Sequence, residues 1–532
     1  MLAITSMDAE STLTVFLVFS TIMSTKVYCL QIGGLKESIH ARPKPTVKGI
    51  RGRQSPWNIM GHHTPNLGKA QGWDPMNIQV PDNNPRIFYP MTNGADPNGG
   101  SDSTAELQLT INQAFEVAST DVLMEGVVDL GGVEVHLGGG QYVISKPLTI
   151  PDIGGGNVVI HGGTVRASNS FPADGFLLEM ATTTLREEWT RVNGRLTESL
   201  AQPIYENVHL HDLLLDANYT GGGILLLNPL RVTISNCYIT HFSTIGISVQ
   251  GGHETLIHSS FLGQHITSGA DPLEHTFSGT AILLSGNDNS VTDVVIFSAQ
   301  TAIEVDGQAN IITNAHCYNK ASGLGGIGIV IRKGATLTRI LGCYLDFTGI
   351  VLEETAEIII SNSFFLGDAY VLLKAIGDSP ATVTGLNIAE NIFHGNNNGV
   401  PIVQLQGNFS DIRQTCIDNN SATGMVNRCT RARATVTGYG SEWTVDFSQR
   451  LLFPSSIAHV HYSFYALPGR EDVTHNSSGK FFPLHALHSV TSTSIKVTSD
   501  TPINATVSIY VDQSFQDEDT HDSFQPYLSS YL

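Results

Sequence analysis

Gly223-Ile224-Leu225-Leu226, Gly246-Ile247-Ser248-Val249, Ala281-Ile282-Leu283-Leu284 and Ala302-Ile303-Glu304-Val305 are four copies of one short line. Gly328-Ile329-Val330-Ile331, Gly349-Ile350-Val351-Leu352, Tyr370-Val371-Leu372-Leu373 and Ile402-Val403-Gln404-Leu405 continue it. Their starts are mostly 21 to 35 residues apart. A β-branched strand recurring at that interval is the signature of a solenoid, in which each copy stacks on the one before. Such strands are buried on the inner face and paired in parallel, which favours Ile, Val and Leu.

A second series follows most lines by about a dozen residues. It includes Ile234-Ser235-Asn236-Cys237-Tyr238, Ile257-His258-Ser259-Ser260-Phe261, Val294-Val295-Ile296-Phe297, Ile340-Leu341-Gly342-Cys343-Tyr344 and Ile360-Ser361-Asn362-Ser363-Phe364. The spacing predicts at least two strands per rung. Rungs stacked about 4.8 Å apart turn the inward residues into continuous apolar ladders. On this reading Cys237, Cys317 and Cys343 hold equivalent places in a buried thiol ladder, since free Cys packs as a small hydrophobe and no C-x-x-C pair occurs. Cys416 and Cys429 are the best disulfide candidates.

The remaining chain divides around this core. Leu13 to Met23 is apolar but too short to span a bilayer, and residues 1–29 are expected to be a signal peptide. Residues 30–84, rich in Pro, Gly and Asn, read as an extended leader. Ser103-Thr104-Ala105-Glu106 has the form of a capping box before the periodic run Leu107, Ile111, Ala114, Phe115 and Ala118. That predicts one amphipathic helix placed to cover the open end of the solenoid. The solenoid is expected over 85–430 and a small antiparallel β-sandwich or sheet over 431–532. The fold class is therefore all-β, a right-handed parallel β-helix with an N-terminal capping helix and a C-terminal strand domain.

Charge narrows the function. There are 28 Lys and Arg against 48 Asp and Glu, a net charge of −20. So acidic a chain lacks the basic footprint that nucleic-acid binding requires. No membrane span is expected, and the chain is expected to be a monomer. Asn218, Asn408, Asn419, Asn476 and Asn504 stand in N-x-S/T sequons, in keeping with secretion.

Gly94-Ala95-Asp96-Pro97 through Ser103-Thr104-Ala105, with Gly139-Gly140-Gln141-Tyr142-Val143-Ile144, resembles the opening of the pectate-lyase-like superfamily of right-handed β-helices. Gly279-Thr280-Ala281-Ile282 through Gly286-Asn287-Asp288-Asn289, Gly307-Gln308-Ala309-Asn310, His316-Cys317-Tyr318-Asn319-Lys320 and Phe482-Pro483-Leu484-His485 are similar to the plant Quartet-type polygalacturonases. The resemblance spans about 85 to 515. It implies hydrolysis of α-1,4-galacturonan in the plant cell wall, with pollen-tetrad separation as the associated role. The Asn-Thr-Asp, Asp-Asp, Gly-His-Gly and Arg-Ile-Lys motifs of ordinary family 28 polygalacturonases are not intact here; Gly279-Thr280 stands where an acidic pair is expected, so no triad is carried over.

The repeat itself nominates a site. If its Ile and Val/Leu positions face inward, the outward column after the line is Gln250, Ser285, Asp306, Arg332, Glu353 and Lys374. Ser248, Leu283 and Glu304 lie one outward position earlier. Glu304 and Asp306 are roughly 7 Å apart on one extended strand, and Asp306 and Glu353 are two rungs apart, about 10 Å between backbones. Inverting glycosidases hold their two carboxyls roughly 6.5–9.5 Å apart. Asp306, Glu304 and Glu353 are therefore the candidate catalytic carboxylates, one of them with its pKa raised by its acidic neighbour. Arg332 and Lys374 are candidate ligands for galacturonate carboxylates. The loop Gly263 to Gly279 adds His275 and Asp271 as substrate-binding candidates, with Asp271 or Glu274 able to serve as a second acid. Opposite charges on neighbouring strands also pair simply for stability, and that reading stays open. No metal or cofactor is required. The alternatives are a Ca²⁺-dependent pectate lyase using the same carboxylates with Arg332 as base, and a non-catalytic wall-polysaccharide binder.

Overall fold

The computed structural model describes three short strands near the N-terminus and residues 86–513, apart from 121, 125–126, 129–131, 193, 196–204, 265–277, 319–325, 355, 454–456 and 467–482. The chain divides into two compact units, Met1–Trp73 and Asp74–Leu532. In the first, Leu2–Ala3, Val15–Leu17 and Tyr28–Leu30 pair antiparallel. The second carries the parallel β-helix.

The repeated line forms one sheet of ten parallel strands in chain order, from Leu148–Thr149 to Val403–Gln406. Its register is strict. Ile224, Ile247, Ile282, Ile303, Ile329, Ile350, Val371 and Val403 lie one above another. All are buried, as are the members of the parallel column from Leu226 and Val249 to Leu373. These two inward columns are the ladders that the pattern predicts.

The second series is where structure and sequence part. Each five-residue stretch is two strands rather than one: Thr233–Ser235 and Tyr238–Thr240, Ile311–Thr313 and His316–Tyr318, Ile359–Ser361 and Phe364–Leu366. Between them the chain turns a corner through a left-handed residue: Asn236, Ser259, Asp293, Asn314, Gly342, Asn362, Glu390 and Asn419 all have φ near +50° to +62°. Asn and Asp tolerate that conformation better than other side chains, and Gly freely. The rung thus has three strands, and the solenoid three faces. The second face is centred on Ile234, Ile257, Val291, Ile312, Ile340, Ile360, Ile388 and Ile417. The third runs through Ile239, Leu262, Ile296, Cys317, Leu345, Phe365 and Phe393.

This geometry corrects the thiol ladder. Cys317 packs between Ile296 and Leu345 on the third face. Cys237 and Cys343 instead stand just before that strand, in the column of Ala315 and Ser363. Burial pushes the Cys237 and Cys343 thiols up to about 11, so they pack as neutral thiols. Cys416 and Cys429 are not joined: the Cys429 thiol points to the Arg450 carbonyl, and Arg431 donates to the Cys416 sulfur.

The predicted helix spans Thr104–Thr120. Leu107, Ile111, Ala114, Phe115 and Ala118 all face the core, each at most 2% exposed. Its N-terminus departs from the capping box. Ser103 Oγ accepts from the Asp96 amide, and the Asp102 carboxylate takes the Thr104 N–H. At the other end, Arg431–Asp446, Ser494–Asp512, His459–Ala466 and His485–Val490 form one four-stranded antiparallel sheet over its own core of Trp443, Val497, Val507 and Ile509. No helix among the described residues is long and apolar enough to cross a membrane.

Because every inward residue touches the rungs above and below, truncation in a column leaves a void that the strict register cannot close. Phe365, fully buried and stacked on Phe393 with ring centroids 4.3 Å apart, is the sharpest case. Phe365→Ala is expected to cost about 3–5 kcal/mol, read as a lower urea midpoint at unchanged slope. A midpoint like that of the wild type would show that the column is not close-packed.

Candidate functional site

The outer face of the ten-stranded sheet carries a chain of ion pairs. Asp306, Arg332, Glu353 and Lys374 follow one another along it, one to a rung, as the outward column predicts. Arg332 Nη1 donates to Glu353 Oε1 at 3.0 Å, and Lys374 Nζ reaches the same oxygen at 3.2 Å. Arg332 Nε donates to Glu304 Oε1 at 3.0 Å. Glu304 stands between two apolar residues of its column, Leu283 below and Val330 above. Its side chain is only 6% exposed, against 33% for Asp306.

One member of the site comes from outside the ladder. Arg195 donates through Nη1 to Asp306 Oδ2 at 3.0 Å and through Nη2 to Glu304 Oε1. It is delivered by the charged insertion near 185–195, which folds as a helix, Thr183–Arg191. Thr182 Oγ1 caps that helix by accepting from the Leu185 amide, and Asp152 takes the Thr183 N–H at 3.0 Å. Arg186 forks onto the buried Glu179 at 2.9 and 3.1 Å and lies over the Trp189 ring. Gly194 then turns the chain at φ +82°, where its N–H returns to the Trp189 carbonyl. Its own carbonyl accepts from Gln250 Nε2, a wholly buried side chain of the outward column. Arg195 is thereby anchored at both helix and sheet.

A single guanidinium spanning Glu304 and Asp306 holds their bonded oxygens within about 8 Å, two charge-assisted contacts and the width of the fork. The protonation does not follow the simplest expectation. Burial alone would raise the Glu304 carboxyl, but Arg332 and Arg195 outweigh it and hold it below the ordinary glutamate value. Both guanidinium groups are held more firmly charged in return. Glu304 is thus an ionised anchor, not an acid with a raised pKa.

Two cavities flank the ion-pair chain. One of about 270 Å³ is lined by Asp174, Phe176, Trp189, Arg195, Thr280 and Glu304, among others. The other, about 560 Å³, includes Lys374, Tyr370, Asp368 and Gln404. Asp271 and His275, with Glu274 and His265, fall within 265–277 and lie outside the described residues. The ends of that loop are described: Gln264 Oε1 accepts from the Ser278 amide at 2.8 Å and Gln264 Nε2 donates to Ser278 Oγ at 3.2 Å. They emerge beside Thr280, on the rung below Glu304. His253 lies elsewhere, 53% exposed and paired with Asp288 at 3.2 Å.

A second cluster of potential ligands stands near the capped end. His136, His161 and His211 share one outward register on the second face, with Glu134 and Asp212 beside them. The ligand atoms of Glu134, His136 and His161, and those of His161, His211 and Asp212, lie within 4.8 Å of one another. His161 and His211 stack at 21°. His161 Nε2 is bonded to Glu134 at 2.7 Å, and His136 Nδ1 accepts the Gly138 N–H, which leaves its proton on Nε2. The described bonds tie the column into a hydrogen-bonded stack.

No family model matches the chain. Among curated proteins, polygalacturonase QRT3 of Arabidopsis thaliana is 48% identical over 434 residues, 81% of this chain and 85% of that protein. The chain belongs to that polygalacturonase family. Solved structures are similar at low identity. The tailspike protein of Escherichia coli bacteriophage HK620, in complex with a pentasaccharide, is 9% identical with a TM-score of 0.47, covering 81% of this chain and 94% of its own. The A-module of the Azotobacter vinelandii mannuronan C-5 epimerase AlgE6 is 14% identical with a TM-score of 0.41, covering 64% and 98%.

The anchoring role of Glu304 has a pH signature. Its depressed folded pKa means that its contribution is fully present above the unfolded value of about 4.5 and is lost as pH falls through the lower folded value. Glu304→Gln should therefore destabilise by about 1–3 kcal/mol near neutral pH, moderated by the solvent exposure of Arg195. The gap to wild type should narrow steadily once the pH drops below the ordinary glutamate value. A gap independent of pH in denaturation midpoints contradicts the assignment.

Proposed function

We propose that this protein is a secreted glycoside hydrolase that cleaves α-1,4-galacturonan in the plant cell wall, at the outer face of the ten-stranded sheet. The observation that carries the reading is Asp306: a carboxylate one-third exposed on the outer face of the sheet, bridged to a second carboxylate by an arginine. The name and 48% identity of the Arabidopsis relative support the substrate class. Tetrad separation in pollen is the tissue role that the sequence resemblance implies.

In this reading Asp306 is the carboxylate that meets the reacting centre. It takes a proton from the water that attacks the anomeric carbon, while an acid on the other side protonates the departing glycosidic oxygen. Glu304 and Glu353, at most 10% exposed and each bound by two cations, position the catalytic face. The second acid is then Asp271 or Glu274, on the loop that joins the third-face strand Phe261–Gly263 to the ten-stranded sheet at Thr280, with His275 as a substrate contact. Arg332 and Lys374 keep the groove from repelling a polyanion in a chain of net charge −20.

The pairing also bears on the lyase alternative. Glu304, Asp306 and Glu353 each bond a guanidinium or ammonium group, whereas a Ca²⁺ site needs several carboxylate oxygens free to converge. Hydrolysis without Ca²⁺ is the simpler use of these residues.

Purified full-length protein is expected to release reducing ends from polygalacturonate at a rate unchanged by excess EDTA. Asp306→Asn should lower kcat by about 100-fold or more at unchanged fold. An unsaturated, ultraviolet-absorbing product that needs Ca²⁺ would establish the lyase instead. Full activity in Asp306→Asn would remove this carboxylate from the mechanism.

A further inference from the structure

We infer that the 270 Å³ cavity beneath the Thr183–Arg191 helix is a uronate-binding subsite, with Arg195 as the receptor for the sugar carboxylate. The inference rests on the galacturonan reading and deepens it. It concerns a wall that the ladder does not supply, because the insertion brings Arg195 and Trp189 over the sheet from outside the repeat.

Three features of the cavity point to an acidic sugar. The first is a cation with capacity to spare. Arg195 uses Nη1 and Nη2 on Asp306 and Glu304, one described bond each. A guanidinium has five N–H donors, so others remain. The side chain is 45% exposed and lines the cavity. Arg332, by contrast, lies between Glu304 and Glu353 along the sheet and is not among the lining residues. The second is an aromatic wall: Trp189, nine-tenths buried, lines the cavity beside Arg195. The third is shape and chemistry. Phe176 and Trp189 meet edge to face at 6.0 Å and give the cavity an apolar side, while Thr244 and Thr280 give it hydroxyls. A sugar ring presents the same mixture of apolar faces and hydroxyl edges.

The negative charges at the cavity do not oppose this assignment. Arg195, Arg332 and Lys374 balance the three carboxylates Glu304, Asp306 and Glu353 one for one. Asp174 is left as an acceptor for ring hydroxyls. The subsite is also held ready, since Glu179, Asp152 and Gln250 fasten the insertion to the body before any ligand arrives. A methyl ester removes the charge that Arg195 recognises, so the subsite discriminates free uronate from its ester.

The test is calorimetric binding of trigalacturonate and its methyl-esterified form to full-length wild type, Arg195→Gln and Arg195→Lys, alongside the reducing-end assay. Wild type should bind the acid in preference to the ester. Arg195→Gln should weaken the acid by about 10- to 100-fold, the worth of a charge-assisted contact, and leave the ester unchanged. Arg195→Lys should fall between, keeping charge but not the fork. If Arg195→Gln binds the acid like wild type, or wild type cleaves polygalacturonate without preferring acid to ester, the subsite is overturned and the hydrolase reading stands. If wild type neither binds nor cleaves galacturonan, the hydrolase reading fails and the subsite fails with it.

Discussion

Parallel, in-register stacking governs this molecule. Each rung lies about 4.8 Å from the next, so a residue's place on one rung decides its neighbours on two others. Inward positions become dry columns such as Ile247, Ile282, Ile303 and Ile329. A one-residue slip would turn every such column outward. The left-handed corners are part of the same constraint. They must recur at the same position on each rung, and from Asn236 to Asn419 they do. The helix Thr104–Thr120 covers the edge that stacking leaves open at one end.

Stacking also concentrates charge. Any ionisable residues on successive copies of one outward position are brought within side-chain reach of each other. Asp306, Arg332, Glu353 and Lys374 alternate in sign nearly from rung to rung, and the result is a connected chain rather than isolated pairs. Glu304 is buried between Leu283 and Val330, where a lone carboxylate would be costly. Two guanidinium groups on one of its oxygens make burial tolerable. Buried pairs of this kind contribute little net stability over an apolar substitute. Their cost is more readily understood if the site has work to do.

Local pattern made the line, its inward and outward faces and the capping helix legible, because period-two and helical spacings survive without knowledge of the rest of the chain. It did not disclose the bend inside Ile234-Ser235-Asn236-Cys237-Tyr238. There one left-handed residue turns what reads as a single strand into two, and separates Cys317 from the column of Cys237 and Cys343. Asn, Asp and Gly recurring at the middle of that segment were the available signal. Nor did pattern disclose Arg195. It lies 109 residues before Glu304, in an insertion whose only local mark is its alternating charge.

The sequence by itself determined that this chain is a solenoid and which of its faces carries charge, since both follow from spacing repeated many times over. Tertiary structure alone decided how those charges are used. It put the helix Thr183–Arg191 over the sheet, laid Arg195 across Glu304 and Asp306, and so held Glu304 ionised where neighbouring carboxylates predicted a raised pKa. The reason is physical: a ladder contact is set by register, which repeats in the sequence, whereas a contact made once between an insertion and the ladder has no period to reveal it.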